Sequence, residues 1–239
     1  MQLFKLNATE STNQYLKNLA SNIDLEDYTT VVSNFQTKGR GQFGEKWYSE
    51  TGKNLLISVL KKNINFRIED QFYLNMRVTL SIYMTLKFFK IPNISIKWPN
   101  DILSCDKKIS GVLIQLITKN KLIRSAIIGV GLNVNQTFFE NLPKATSMKL
   151  ILNKNIDLEE LRLKFTEQLK YYFSLDNNLL ISKVYHKFLY GNSEKSCFKA
   201  KDGSVFQAEI IGVSFNGNLK LATNGLIKEF DLKSIEMIY

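Results

Sequence analysis

Cysteine, proline and histidine are all scarce in this 239-residue chain, with 2, 3 and 1 copies respectively, and each scarcity removes a class of protein. Cys105 and Cys197 make no C-x-x-C pair, so neither a disulfide framework nor a cysteine zinc site is expected, and a reducing cytoplasm is the expected compartment. The lone histidine, His186, lies among Val184, Tyr185, Phe188 and Leu189, where a structural role is the default, and this disfavours histidine-based zinc sites and serine triads. Nowhere do about 18 uncharged apolar residues run together, and the opening MQLFKLNATEST holds no apolar leader, so neither a membrane span nor a signal peptide is expected. The few prolines and 12 glycines, with 44% hydrophobic residues, exclude a disordered or collagen-like polymer. A chain of this length buries roughly 70% of its unfolded surface and needs no covalent staple.

Positive charge is plentiful. The net charge of +10 favours an anionic partner: nucleic acid, a phosphorylated ligand, a membrane surface or an acidic protein. From Asn192 onward lysines and acids balance, so the excess lies upstream, and a boundary is expected near Gly191, giving units of residues 1–190 and 191–239.

Ser11-Thr12-Asn13-Gln14 reads as a capping box opening a helix with an apolar stripe of Tyr15, Leu16, Leu19 and Ala20. Thr29 to Phe35 and Asn54 to Leu60 read as strands, which leaves Gln36 to Lys53, polar and glycine-rich, as a long loop. Glu69 to Lys90 is a helix apolar over much of its circumference, ended by Pro92. Strands follow at Ile94 to Trp98, Lys108 to Thr118 and Leu122 to Val134, the last two joined across Lys119-Asn120-Lys121. Asp157-x-x-Glu160 starts an amphipathic helix. Beyond Gly191, Asp202-Gly203, Asn216-Gly217-Asn218 and Asn224-Gly225 punctuate short strands of a small antiparallel barrel or sandwich. This order is no regular βαβ alternation, so the expected class is α+β with a mixed or antiparallel sheet.

Three segments could carry chemistry. In Gln36-Thr-Lys-Gly39-Arg40-Gly41-Gln42-Phe43-Gly44-Glu45-Lys46-Trp47, glycines let backbone N–H groups approach a ligand, while Arg40 and Lys46 can neutralise a phosphate or carboxylate. It is not a Walker loop, and alone it reads equally as a surface connection. Lys97-Trp98-Pro99-Asn100-Asp101 sets a cation and a carboxylate around a rigid corner, the pair that adenylyl chemistry needs, and Lys108-Ile-Ser-Gly111 follows it. Gly129-Val-Gly131-Leu-Asn133-Val-Asn135 suits a purine floor as well as it suits plain core.

In this order, Ser-Thr-Asn near the start, Gly-Arg-Gly in a loop ending Lys-Trp, Lys-Trp-Pro-Asn-Asp, Lys-x-x-Gly and Gly-x-Gly-x-Asn, the chain resembles the biotin protein ligases, the enzymes that join biotin to a carrier lysine. The resemblance implies a catalytic domain of the biotin/lipoate ligase type and a small SH3-like β-barrel at the C-terminal end. It implies two steps: biotin and ATP give biotinyl-5′-AMP and pyrophosphate, and the lysine amine of a carboxylase's biotin carboxyl carrier domain then takes the biotinyl group. ATP and Mg²⁺ are the implied cofactors, in a monomer or homodimer without specific nucleic acid and without membrane. A biotin site of Ser11, Thr12, Asn13, Gln36, Arg40, Gly41, Gln42, Lys108 and Gly111 is implied. Nucleotide contacts fall to Arg40, Lys46, Trp47, Lys97, Asn100, Asp101 and Asn133, with Lys108, Asp101 and Arg40 as the catalytic set.

The family often carries arginines where this chain has Gln42 and Glu45, so its phosphate grip rests more on Arg40, Lys46 and Lys97. Lipoate ligases and octanoyl transferases, which resemble the same scaffold, are the nearest rivals; a transferase would need a nucleophile, and Cys105 beside Lys107 is the candidate, a spectator by default. A nucleic-acid-binding module would explain the charge alone, but the lysines are scattered and no arginine stripe or aromatic RNA-reading strand occurs. With ten residues before Ser11, no helix-turn-helix domain is expected there.

Overall fold

The computed structural model describes residues 2–192, 194–223, 225–232 and 234–238. In chain order the elements are β1 (Leu3–Leu6), α1 (Thr12–Asn22), β2 (Thr30–Ser33), β3 (Leu55–Lys61), β4 (Phe66–Arg67), α2 (Phe72–Phe88), β5 (Ile94–Lys97), β6 (Asp101–Ser104), β7 (Lys107–Lys119) and β8 (Leu122–Leu132). Next come α3 (Met148–Leu152), α4 (Leu158–Ser174), α5 (Asn178–Lys187), β9 (Lys195–Ala200), β10 (Val205–Val213), β11 (Leu219–Thr223), β12 (Leu226–Phe230) and β13 (Ile235–Ile238). The class is α+β, as the element order implies.

The upstream strands form one sheet in the order β1-β2-β3-β8-β7-β6-β5, with β4 added beside β8. β1 and β2 are parallel and the remaining neighbours antiparallel, so the sheet is mixed. Strand periodicity of two sorts its faces. Leu55, Ile57, Val59, Val112, Ile128, Val130 and Leu132 point to one side, where Leu74, Val78 and Leu86 of α2 and Leu161, Phe165 and Leu169 of α4 bury against one another. The opposite face receives α1, whose Leu16 packs with Leu60 and Ile127, and beyond α1 that face is left to the site.

Local differences from the sequence reading have local causes. The long helix starts at Phe72 because Ile68–Asp70 forms a 3-10 turn first. Asn120 and Lys121, with φ of 53° and 60°, make a two-residue turn of the primed hairpin type, so β7 and β8 reach closer to each other than a three-residue connection allows. Ser11 stands at the start of α1 without a side-chain cap bond, and the N–H of the next residue, Thr12, goes instead to Gln36 Oε1 of the long loop at 2.8 Å. α5 was not anticipated; its start is fixed by Asn177, whose side chain accepts from Leu180 N at 2.9 Å.

The downstream strands form a second, antiparallel sheet in the order β12-β11-β10-β9-β13, bent at a bulge where Gly212 has φ of 145°. Asp202-Gly203 and Asn216-Gly217 lie in the connections β9–β10 and β10–β11, whereas Asn224 of the third hairpin signal lies outside the described residues. Phe198, Ile210, Leu219 and Leu221 continue the main core, so the two sheets pack as one body. Polar contacts also tie the second sheet to the rest of the fold: Trp98 Nε1 donates to Gly217 O at 2.9 Å, and His186 Nε2 of α5 accepts from the Val213 N–H at 2.9 Å.

Candidate active site

Two rows of residues running across adjacent strands build the floor. In the first, Ser58 of β3, Gly129 of β8 and Leu113 of β7 are register partners. Asn13 of α1 lies over this row: Ser58 Oγ is 2.6 Å from Asn13 Oδ1, and Asn13 Nδ2 donates to Leu113 O at 3.1 Å. A Cβ on Gly129 would come within 2.3 Å of Asn13 Oδ1, so only glycine leaves room for that amide. Two residues on, Leu56, Gly131 and Gly111 pair in a second row, and Asp101 of β6 pairs with Gly111. The Trp47 indole lies on its two glycines; a Cβ at Gly131 would sit 2.5 Å from Trp47 Cε2 and one at Gly111 3.2 Å from its Cζ3. The Gly-x-Gly spacing is thus a period-two smoothing of one sheet face, and it holds an amide and an indole rather than forming plain core.

The end of the pocket beneath α1 is buried, and its polar groups are bonded to one another. The Ser58 hydroxyl also lies 2.7 Å from Thr12 Oγ1, and Gln36 Oε1 is 2.8 Å from Thr12 N and 3.1 Å from Thr12 Oγ1. Ser11, Thr12 and Asn13 are therefore fixed by backbone and buried hydroxyl contacts before any ligand arrives.

The other end is charged. Lys108 Nζ and Asp101 Oδ1 pair at 2.7 Å, and Asn100 Nδ2 holds the strand turn by donating to Val112 O at 2.7 Å. Burial pushes the Lys97 ammonium below its ordinary pKa, Lys108 and Lys144 push it the same way, and Asp101 and Glu236 oppose them. Asn75 of α2 donates to Pro99 O and anchors the Trp98-Pro99 corner, whose peptide bond is cis. Arg40 and Lys46 face each other as an antiparallel bridge closing the Gly39–Trp47 loop, with Gly41 N donating to Glu45 O at 2.6 Å and Trp47 N to Gly39 O at 3.0 Å. The loop is a folded hairpin with a 3-10 turn over Gln42–Gly44.

Every site residue singled out in the sequence lines a single pocket of about 720 Å³: Ser11, Thr12, Asn13, Gln36, Arg40, Gly41, Gln42, Lys46, Trp47, Lys97, Asn100, Asp101, Lys108, Gly111 and Asn133. Asn133 does so with its Nδ2 committed to Thr146 O at 3.0 Å. Cys105 is exposed on the β6–β7 turn and is not part of this lining. Sequence reading missed three contributions. One is Ser58. Another is the segment 139–145, laid beside Lys108 by Lys108 N donating to Lys144 O at 2.7 Å and Thr146 N to Lys108 O at 2.9 Å. The last is a wall from the second sheet, made by Leu232, Ile235, Glu236 and Met237.

Known proteins share this chain's sequence pattern and fold. The sequence model of the biotin/lipoate A/B protein ligase family matches residues 6–133. The chain is 28% identical over 236 residues to the bifunctional ligase/repressor BirA of Bacillus subtilis, covering 95% of this chain and 71% of that protein. It is 29% identical over 151 residues to the biotin--[acetyl-CoA-carboxylase] ligase of Mycobacterium tuberculosis, 62% of this chain and 54% of that one. The solved structure of the Aquifex aeolicus biotin protein ligase in complex with biotin and ATP superposes with a TM-score of 0.82 at 26% identity, covering 99% of this chain and 98% of the other. With its motifs gathered in one pocket and the family's sequence pattern spanning more than half its length, this chain belongs to the biotin/lipoate A/B protein ligase family.

Proposed function

We propose that the chain is a biotin protein ligase, which activates biotin with ATP and passes it to a lysine on the biotin carboxyl carrier domain of a carboxylase. The observation that carries this reading is the pocket's polarity: buried, neutral hydrogen-bonding groups at one end and a cluster of cations around Asp101 at the other. Biotin has the matching shape, a ureido ring joined by an apolar chain to a carboxylate. An acyl chain without polar ring atoms offers no hydrogen bond to the polar α1 end while taking water from it, at about 1–3 kcal/mol for each buried group so left, which favours biotin over lipoate or octanoate.

In the first step the biotin carboxylate oxygen attacks the α-phosphorus of ATP, and the bond to pyrophosphate breaks. Lys108, on the floor beside Gly111, would meet the negative charge that gathers at the reacting acyl phosphate, with Arg40 holding it from the loop side. Lys46, Lys97 and Asn100 would take the remaining phosphates, with Trp47 and Asn133 near the nucleoside. In the second step the carrier amine attacks the acyl carbon and AMP leaves. Asp101 would orient the incoming ammonium and accept its proton.

Mg²⁺ fits as an ion carried in on the nucleotide. Among the described residues no group of three or more His, Cys, Asp or Glu side chains is placed to hold a metal, while Asp101 offers a carboxylate of the kind Mg²⁺ uses together with substrate phosphates. When bound it would neutralise phosphate charge.

Residues 1–190 would form the catalytic unit and residues 191–239 an SH3-like closing unit, as monomer or homodimer. No helix of the described residues is long and apolar enough to cross a membrane; action in the cytoplasm belongs to this proposal. The test is ATP–pyrophosphate exchange: exchange that requires biotin supports the reading, and exchange that requires lipoate or octanoate instead contradicts it.

A further inference from the structure

Ser58 has no place in any motif of the chain, yet it is wholly buried in the middle of β3 and touches two residues of the α1 end of the pocket. A serine hydroxyl has one proton, and here it has two close neighbours, Asn13 Oδ1 at 2.6 Å and Thr12 Oγ1 at 2.7 Å. The Asn13 amide is oriented by its Nδ2 donating to Leu113 O, so its Oδ1 faces Ser58 and can only accept. The Ser58 proton is therefore committed to Asn13. The short contact between the two hydroxyls must then be made by the Thr12 proton, which turns toward Ser58 rather than toward Gln36 Oε1 at the longer 3.1 Å. Gln36 Oε1 is in any case held by the Thr12 N–H at 2.8 Å. With its proton pointing down into the sheet, Thr12 Oγ1 presents lone pairs to the pocket, while the Gln36 amide, its oxygen occupied, keeps its Nε2 donor beside Gly39.

We propose that Ser58 is a positioning residue that sets the hydrogen-bond polarity of the α1 end, fixing Thr12 as an acceptor and so selecting a ligand ring that donates N–H groups. A ureido ring, with two N–H donors flanking one carbonyl, matches an acceptor at Thr12 and a donor at Gln36. A dithiolane ring or an alkyl chain offers no N–H to that acceptor. Ser58 would act through Thr12 and Asn13 without touching the ligand, and the inference rests on the biotin reading given above.

Its test uses the full chain with Ser58→Ala and with Ser58→Cys, which keeps the volume but replaces the hydroxyl by a weak donor. Calorimetric titrations with biotin and separately with ATP, and the exchange rate at saturating biotin, are compared with wild type. Loss of one buried hydrogen bond predicts biotin binding weakened about five- to tenfold in both variants. ATP affinity and the saturated rate should stay within about twofold, because the charged end is untouched. Thr12→Val, which removes the acceptor itself, should lower biotin affinity and leave the weak binding of lipoate as it is. Unchanged biotin affinity in the Ser58 variants, or biotin and ATP affinities falling together as in a loosened sheet, overturns the proposal. A wild-type protein that gives no heat with biotin overturns the ligase reading, and the role of Ser58 falls with it.

Discussion

At the α1 end of the pocket, Ser11, Thr12 and Asn13 are each at most 5% exposed, and the Thr12 N–H and both polar atoms of the Asn13 amide have protein partners. At the other end Arg40, Lys46 and Lys144 are exposed, and Lys108 answers to one carboxylate. The contrast follows from what water does to each kind of group. Buried neutral groups that fail to find partners cost about 1–3 kcal/mol apiece, so the closed end discriminates by matching donors to acceptors. Exposed cations are screened and individually weak, so the open end works through number and placement, and only where Lys108 meets reacting atoms does one charge decide a rate.

The sharpest test of this division is Lys108→Ala. It should depress ATP–pyrophosphate exchange by roughly 10²–10³-fold, the loss of about 2.7–4 kcal/mol typical of a transition-state contact, with biotin binding by calorimetry nearly unchanged. Near-normal exchange would remove Lys108 from the chemistry. The two glycines of the floor give the next largest effect and a direct way to break the comparison. Gly129→Ala intrudes on Asn13, and Gly131→Ala intrudes on Trp47. At about 1–3 kcal/mol of overpacking, each should cost roughly ten- to a hundredfold in affinity, for biotin in the first and for ATP in the second. If both variants weaken both ligands equally, the ends are not independent.

Gln42 tests the open end more gently. Its Oε1 is buried without a hydrogen-bond partner, at a loop position where the family resemblance implies a cation. Gln42→Arg should slow release of preformed biotinyl-adenylate by up to about tenfold, the difference between a charge-assisted and a neutral hydrogen bond, as read by rapid mixing with a trapping protein. Equal release rates would assign retention to loop closure.

The smallest effect concerns the wall that the open end borrows from the second sheet. Burial holds the His186 imidazole below its usual 6.5, with Lys220 adding to this and the Val213 backbone opposing it. A lowered folded pKa means the unfolded chain binds the proton first. This part of the stability is therefore whole above about pH 6.5 and is lost as pH falls from there through the folded value. Thermal unfolding from pH 7.5 to 5.0 should show a shallow decline that is weaker in His186→Gln, with ATP affinity softening before biotin affinity. A wild-type profile no steeper than the variant's would exclude His186 as the cause.

How much of this was legible in the sequence varies with the kind of signal. Residues that touch a ligand directly, such as Lys97, Asp101 and Lys108, sit in short motifs whose chemistry can be read from side-chain type and spacing. The helices α2 and α4 announced themselves by apolar stripes. Ser58 was silent because a single hydroxyl in the apolar run Leu55–Lys61 reads as tolerated core; only its alternation with Leu56 and Leu60 on the α1 face hints that it points at the site. The segment 139–145 has no periodicity to read, since Asn133 and the backbone of Lys108 place it. The capping-box spacing at Ser11 marks where α1 begins but not a cap bond, since the Ser11 side chain makes none.

One measurement reaches the central claim directly: the intact mass of a biotin carboxyl carrier domain after incubation with this protein, ATP and Mg²⁺, offered biotin and lipoate in equal amounts. The account predicts a single adduct, one biotinyl group on one lysine, that disappears when ATP is withheld. A lipoyl adduct without a biotinyl one would contradict it.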